Sequence, residues 1–256
     1  MKICRFVTPE NPSPQWAIIR GDELLPIDDP FHIAITPPAR SIPLSDAQLV
    51  APAQPSKIVC VGRNYRDHAA ELGNPMPPEP LLFLKPPSAI IGPDQEIQLP
   101  AESDRVEYEG EIAVVIGRKA RRLASNPLDY VLGYTCLNDV TARDLQRRDA
   151  QWTRAKSFDT FCPIGPVIET DLDPSTLIVE TRLNGQLRQR GAAAEMAFPI
   201  PFLIRYISHI MTLEPGDVIA TGTPAGVGPL APGDAVEISI PGIGTLRNTV
   251  RPQSPP

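Results

Sequence analysis

The segment Arg105-Val106-Glu107-Tyr108-Glu109-Gly110-Glu111-Ile112-Ala113-Val114-Val115-Ile116-Gly117 places three glutamates at alternate positions directly before an apolar, strand-forming run. Successive side chains of a strand point to opposite faces. Glu107, Glu109 and Glu111 therefore share one face, about 6.6 Å apart along it. Like charges on one face repel. Such a pattern fits the solvated edge of an antiparallel sheet, where water screens the repulsion. It also fits a metal site, because carboxylates that run into an apolar stretch are costly to bury unless a cation compensates them. The position of these glutamates against Ile112 to Ile116 favours the metal.

The chain of 256 residues has length for one large domain, or for a small one beside a larger one. Its formal net charge of −6 and the lack of any Lys/Arg run longer than two argue against a nucleic-acid partner. No apolar run approaches membrane-spanning length, and Met1-Lys2-Ile3-Cys4 opens without a signal-peptide pattern. Cys4, Cys60, Cys136 and Cys162 lie far apart with no Cys-x-x-Cys spacing, which argues against a disulfide framework and a structural zinc and makes a reducing cytoplasm the expected location. The 32 prolines punctuate the chain without repeating. The expectation is an α+β, strand-rich protein with few long helices.

Residues 1 to about 36 read as a small β unit, with Lys2 to Val7, Trp16 to Ile19 and Leu24 to Ile27 as strands and a hairpin turn at Arg20 to Glu23. Pro37 to Ser56 reads as a linker or draped connection. Lys57 to Val61 is a buried strand. A short helix follows, for which Asn64 is the expected cap and Gly73 the expected stop. At that length the helix is marginal alone, so it and the proline-rich Asn74 to Pro80 are expected to order around a ligand. Tyr130 to Leu137 is a strand ending at Asn138-Asp139, and Thr141 to Arg148 is helical. Asn184-Gly185 marks a hairpin between Leu177 to Leu183 and Gln186 to Arg190. Pro201 to Thr212 is amphipathic, with Leu203, Ile204, Ile207, Ile210 and Met211 on its core face.

Asp139 ends a strand that can neighbour Glu109 and Glu111; three carboxylates without His or Cys describe a site for a hard cation, although Asp139 equally suits a helix cap. His68 and Glu71 share a helix face at a spacing of three, which suits a carboxylate-oriented general base or a solvated surface pair. His32 and His209 lack an acidic neighbour in the sequence and read as structural. Arg63, Lys85, Arg143 and Lys156 are cations at strand ends and helix starts, placed to hold substrate carboxylates or to be ordinary surface charges. The loop Gly222 to Gly228 lacks the Gly-Lys-Ser/Thr ending of a phosphate loop and suits the presentation of backbone amides or the Thr223 hydroxyl.

Together these segments resemble the fumarylacetoacetate hydrolase family over roughly Lys57 to Val250. The resemblance is carried by Val61-Gly62-Arg63-Asn64-Tyr65 with His68 and Glu71, Tyr108 to Gly117, Asn138 to Asp144, Lys156-Ser157-Phe158-Asp159-Thr160, and Gly216-Asp217 through Thr221-Gly222-Thr223-Pro224. It implies a mixed β-roll catalytic domain over residues 56–256, a small N-terminal β domain and linker over residues 1–55, and a homodimer. It implies that Glu109, Glu111 and Asp139 bind Mg²⁺ or Mn²⁺, with Ca²⁺ a substitute in vitro, and that Glu107 lies outside the ligand set. His68 and Glu71 are then a water-activating dyad on a lid, with Lys156 as the third catalytic residue. Arg63, Arg143, Gln146 and Thr223 line the pocket for a small 2-oxo acid, with Lys85 a further substrate contact.

The implied chemistry generates an enolate beside a metal-chelated keto acid. Hydrolysis of a C–C bond in an acylpyruvate comes first, since the dyad suits an activated water. Decarboxylation of an oxaloacetate-like acid and isomerisation of a 2-hydroxy-dienedioate of aromatic catabolism follow as alternatives, and a non-catalytic metal-binding scaffold is the third. One departure is Ala192-Ala193-Ala194-Glu195 before Met196, where relatives carry a Thr-containing polar stretch.

Overall fold

The computed structural model describes residues 1–32, 41–124 and 126–253. In chain order the strands and helices are β1 (Lys2–Val7), β2 (Gln15–Arg20), β3 (Glu23–Ile27), β4 (Ile42–Pro43), β5 (Gln48–Val50), β6 (Ile58–Gly62), α1 (Arg66–Glu71) and β7 (Leu81–Lys85). There follow β8 (Ile90–Ile91), β9 (Glu96–Leu99), β10 (Val106–Tyr108), β11 (Gly110–Ile116), β12 (Val131–Asn138), β13 (Thr141–Ala142), α2 (Arg143–Arg148), α3 (Thr153–Lys156) and β14 (Cys162–Glu169). The chain ends with β15 (Ile178–Leu183), β16 (Gln186–Ala192), α4 (Ile200–Ile210), β17 (Val218–Ala220), β18 (Gly228–Pro229), β19 (Ala235–Ile240) and β20 (Gly244–Pro252).

A mixed sheet runs in the order β4-β3-β2-β1-β14-β12-β11-β17-β6-β7, with β5 beside β1 and β8 beside β14. A second sheet of five strands runs β16-β15-β19-β20-β9, and a third of three runs β13-β10-β18. Every residue of β11 is buried, which is why its sequence is continuously apolar after Glu111 instead of alternating. Its side chains divide by parity: Ile112, Val114 and Ile116 join the larger core cluster, while Ala113 and Val115 join a smaller one on the opposite face. Val236, Ile238 and Ile240 of β19 and Leu203, Ile204 and Ile207 of α4 contribute to the larger cluster. The second sheet and the long helix thus pack over one face of the first.

The strands at the N-terminus extend the large sheet through Lys2↔Glu169 and Ile3↔Ile168 between β1 and β14. Part of the expected linker, residues 37–40, lies outside the described residues, but its later part is built otherwise than expected. β5 pairs with β1 (Arg5↔Val50 to Val7↔Gln48), and β4 closes on β3. Two- and three-residue strands carry too little periodicity to rise above a Pro- and Ala-rich background.

Two further expectations fail locally. Asn64 does not cap α1; Tyr65 occupies that position, and the Asn64 amide donates to Thr221 O (2.7 Å) and Phe198 O (3.1 Å). Three tertiary partners, including the Phe198 N–H that donates to Asn64 Oδ1, outcompete one local cap. Ile210 is 55% exposed instead of buried, because it falls in the last residue of α4, beyond the packed face. Gly73 does follow the end of α1, at φ +68, the left-handed geometry of a helix stop. Asn184 and Gly185 both have positive φ (52° and 77°), as the tight hairpin requires.

Candidate active site

The register of the large sheet gathers its chemistry at one end. Gly110 at the start of β11 lies opposite Asn138 at the end of β12. β17 runs antiparallel to β11, and β6 runs parallel to β17. The connections that start at Arg63, the Glu109 break, Asp139 and the loop from Thr221 therefore emerge at the same edge. Glu109 lies between β10 and β11; its carbonyl accepts from Asp139 N (2.8 Å), and its own N–H donates to Asn138 Oδ1 (2.9 Å). These bonds lock the two acid-bearing segments together. The ligand-type oxygens of Glu109, Glu111 and Asp139 lie within 4.8 Å of one another, and all three residues are buried.

Three cations hold this cluster. Lys156 Nζ donates to Glu109 Oε2 (2.8 Å) and Asp139 Oδ2 (2.7 Å). Lys85 Nζ donates to Asp139 Oδ1 (2.7 Å) and to the Val140 carbonyl (3.1 Å). Arg143 donates through Nη2 to Glu109 and through Nε to Glu107 Oε2 (2.6 Å), and Glu107 also accepts from Arg105 Nε (2.6 Å). Burial opposes ionisation of Glu109, yet Lys156 and Arg143 hold its carboxyl below the usual carboxylate range. Burial likewise opposes the charge on Lys156, but Asp139 and Glu109 overcome it and raise its pKa.

Glu111 differs. Among the described residues it accepts only from Gly222 N (2.8 Å), and burial, followed by repulsion from Asp139 and Glu109, pushes its carboxyl well above the normal value. A donor set of three buried carboxylates, one with no ion pair among the described residues, fits a hard divalent cation. Glu109, Glu111 and Asp139 would hold it, and its charge would return Glu111 to the ionised form.

His68 is 5% exposed on α1, with its Nδ1 3.4 Å from Glu71 Oε2. At that distance the bond is weak, but Glu71 is also held from the other side: both its oxygens accept from Gly226 N at 3.1 Å. Burial lowers the His68 pKa, against the opposing pull of Glu109, so the imidazole is neutral at pH 7. An Nδ1–H donated to Glu71 leaves Nε2 as the basic nitrogen. The other histidines stand apart. His32 does have an acidic partner, contrary to the expectation: its exposed ring lies 2.9 Å from Asp29, three residues back. His209 meets the Leu123 carbonyl at 3.4 Å.

A cavity of about 310 Å³ opens over these groups. Of the eleven candidate residues, all except Glu71 and Lys85 line it. Glu71 stands behind His68, and Lys85 lies behind Asp139 with 1% exposure. Arg143 gives its remaining Nη1 to Gln146 Oε1 (2.6 Å). The Thr223 hydroxyl donates to Gly110 O (2.9 Å) and accepts from Gln189 Nε2 (2.8 Å). The structure adds Phe83, Trp152 and Arg147 to the wall, residues that sequence reasoning passed over. Trp152 sits four residues before Lys156, and that proximity is the one local signal for it. Phe83 and Trp152 meet edge to face at 5.3 Å, and Lys156 Nζ lies 4.9 Å from the Phe83 ring centroid. Ala192, Ala193 and Ala194 are not among the lining residues; Glu195 there accepts from Ala192 N (2.7 Å) and closes its own turn.

Strand order, the acid cluster and the imidazole–carboxylate pair define a mixed-sheet enzyme scaffold with a metal-type site. The fumarylacetoacetate (FAA) hydrolase C-terminal family matches residues 57–251, and the Rv2993c-like N-terminal family matches residues 1–52. The chain belongs to the fumarylacetoacetate hydrolase family, and its relatives include proteins named as a tautomerase, an isomerase and a hydrolase. It is 47% identical over 223 residues to oxaloacetate tautomerase YisK of Bacillus subtilis, covering 81% of this chain and 74% of that one. It superposes on 5-carboxymethyl-2-hydroxymuconate delta-isomerase from Mycobacterium smegmatis with a TM-score of 0.90 at 46% identity, covering 99% and 100% of the two chains. Maleylpyruvate hydrolase from Sphingobium sp. SYK-6, in complex with manganese(II) ion and pyruvate, matches with a TM-score of 0.81 at 33% identity, covering 99% and 100%.

Proposed function

We propose that the chain is a divalent-metal-dependent enzyme that moves a proton on the carbon beside the keto group of a 2-oxo acid, interconverting keto and enol or double-bond isomers. One observation carries this reading: a neutral, buried imidazole and a triad of carboxylate oxygens face the same cavity. Proton transfer needs a base near its operating pH and a fixed positive charge for the oxygen that becomes enolic. A bound Mg²⁺ or Mn²⁺ supplies that charge as a Lewis acid. The remaining tasks belong to the chain. His68 takes and returns the proton, Glu71 orients the ring, and Lys156 keeps Glu109 ionised and aligns it with Asp139. Arg63, Gln146 and Thr223 bound the substrate, and Lys85 holds Asp139 from behind. The relatives at 47% and 46% identity are a tautomerase and an isomerase, which supports proton transfer ahead of hydrolysis.

Hydrolysis of a C–C bond in an acylpyruvate-type 2,4-dioxo acid is the second reading. The His68–Glu71 pair favours it, since the same base can activate a water. The test follows keto and enol oxaloacetate, hydrogen exchange at its C3, and loss of acetylpyruvate by NMR, with Mg²⁺, with Mn²⁺ and with chelator. Chelator-sensitive tautomerisation and exchange without acetylpyruvate loss is the expected result. Cleavage of acetylpyruvate faster than tautomerisation would move the assignment to the hydrolase.

A further inference from the structure

A fourth carboxylate is buried beside the triad. Glu107 is 1% exposed on β10, two residues before Glu109, yet it is not among the residues that line the cavity. Both its oxygens are taken by guanidinium groups: Oε1 by Arg105 Nε and Oε2 by Arg143 Nε, each at 2.6 Å. The two arginines differ in their surroundings. Arg105 has a half-exposed side chain, whereas Arg143 is buried, lines the cavity and carries its other donors to Glu109 and Gln146. The backbone fixes this arrangement, since Glu107 lies opposite Thr141 in the ladder and Arg143 N donates to Arg105 O (2.7 Å). At the site the buried acids Glu107, Glu109, Glu111 and Asp139 face the buried cations Lys85, Arg143 and Lys156, formally one net negative charge. A divalent cation turns that into one net positive charge. Without Glu107 the excess would be two.

We propose that Glu107 is a positioning residue for the metal: acting through Arg143, it cancels the guanidinium charge beside the triad and so sets how tightly a divalent cation is held. The inference rests on the metal-site reading above. Arg143 is bonded to Glu109, and an uncompensated guanidinium there repels the cation and competes with it for that carboxylate. Glu107 engages Nε, which leaves Nη2 for Glu109 and Nη1 for Gln146. Arg105 closes the outer oxygen, so Glu107 stays turned toward Arg143. Charges buried at this depth are little screened by water or salt, so a carboxylate that touches no ligand still acts on one. Its effect has opposite signs for the two ligands of the site: it strengthens the hold on the metal and weakens the hold on an anion.

The test measures Mn²⁺ affinity by electron paramagnetic resonance and pyruvate affinity by calorimetry at saturating Mn²⁺, with metal-free thermal unfolding as the check that each variant is folded. Glu107→Gln is expected to bind Mn²⁺ about tenfold more weakly, which corresponds to about 1.4 kcal/mol, and to bind pyruvate at least about threefold more tightly. Glu107→Asp keeps the charge and should stay within about threefold of the wild type for Mn²⁺. Arg105→Gln, on the exposed side, removes a positive charge, so its Mn²⁺ affinity should be equal or tighter; this variant carries the test if Glu107→Gln does not fold. Four results each overturn the inference. They are Mn²⁺ affinity unchanged in Glu107→Gln, pyruvate weakened there together with Mn²⁺, Glu107→Asp as impaired as Glu107→Gln, and Mn²⁺ weakened in Arg105→Gln. All four leave the metal site standing, because the wild type binds Mn²⁺ in each. A wild type that binds no Mn²⁺ overturns the metal-site reading itself.

Discussion

His68 carries the most specific expectation at the scale of single residues. Its burial makes the neutral imidazole the native form, with a pKa below 6.5. His68→Ala is expected to lower kcat by about 10²- to 10⁴-fold, the range of a lost general base, while Mn²⁺ binding followed by electron paramagnetic resonance is retained. Lost Mn²⁺ binding in that variant would mark the effect as structural. In the free enzyme kcat/KM should stay flat from pH 7 down to about 6.5 and fall only as pH passes through the lowered value. Stability has the same sign. The folded protein binds fewer protons at His68 than the unfolded chain does, so this contribution is complete above about pH 6.5 and is lost as pH falls through the native pKa. Glu111 makes a second case, because it is the triad member with no ion pair among the described residues. Glu111→Ala should weaken Mn²⁺ binding by at least about tenfold, and unchanged affinity would remove it from the ligand set.

At the scale of elements, the function depends on how α1 is held. Gly226 reaches Glu71 through its N–H while the Tyr108 hydroxyl donates to its carbonyl (3.0 Å). Its φ is +103°, and a Cβ at this position would lie 2.1 Å from Arg188 O. Gly226→Ala must therefore shift the loop, and we expect kcat to fall about tenfold or more with a smaller change in Mn²⁺ affinity, since a 1 Å misplacement of a catalytic group costs up to about a hundredfold. The far side of the segment is tied by the Tyr206 hydroxyl to Glu79 (2.8 Å), from α4 to the connection that follows α1. Tyr206→Phe removes one exposed hydrogen bond worth about 0.5–1 kcal/mol, so amides of residues 72–79 should exchange about two- to fivefold faster. Unchanged exchange there would show that packing alone holds the connection.

At the scale of the whole molecule, the large sheet runs through both family regions without a break in hydrogen bonding, from β4 to β7. A ligand at one end of β11 is therefore coupled to the stability of the entire sheet. Mg²⁺ at about 100 times its Kd should stabilise the fold by about 2.7 kcal/mol, or about 5–10 °C in Tm for a chain of this size. Identical unfolding curves with and without the ion would argue that the triad binds no metal. Among the described residues no helix is long and apolar enough to cross a membrane.

The acid cluster and the central strand were legible in the sequence because both are short-range facts. Glu109-Gly110-Glu111 and the apolar run behind it lie on one segment, and the Asn184-Gly185 turn needs nothing beyond its own backbone angles. The family pattern then placed Asp139, Lys156 and Thr223 beside them. Only the tertiary structure decided what each polar group is bonded to. Asn64 left the helix cap for Thr221 and Phe198, Lys85 was assigned to Asp139 instead of the cavity wall, and Gln189 arrived from β16 to hold Thr223. The reason is physical: a buried donor takes whichever acceptor the packed sheets bring within reach, and those partners are separated by 54 residues for Lys85–Asp139 and by 157 for Asn64–Thr221. Periodicity and local propensity act over a few residues, so they set which segments become strands. Long-range packing set which cations the site's own carboxylates hold.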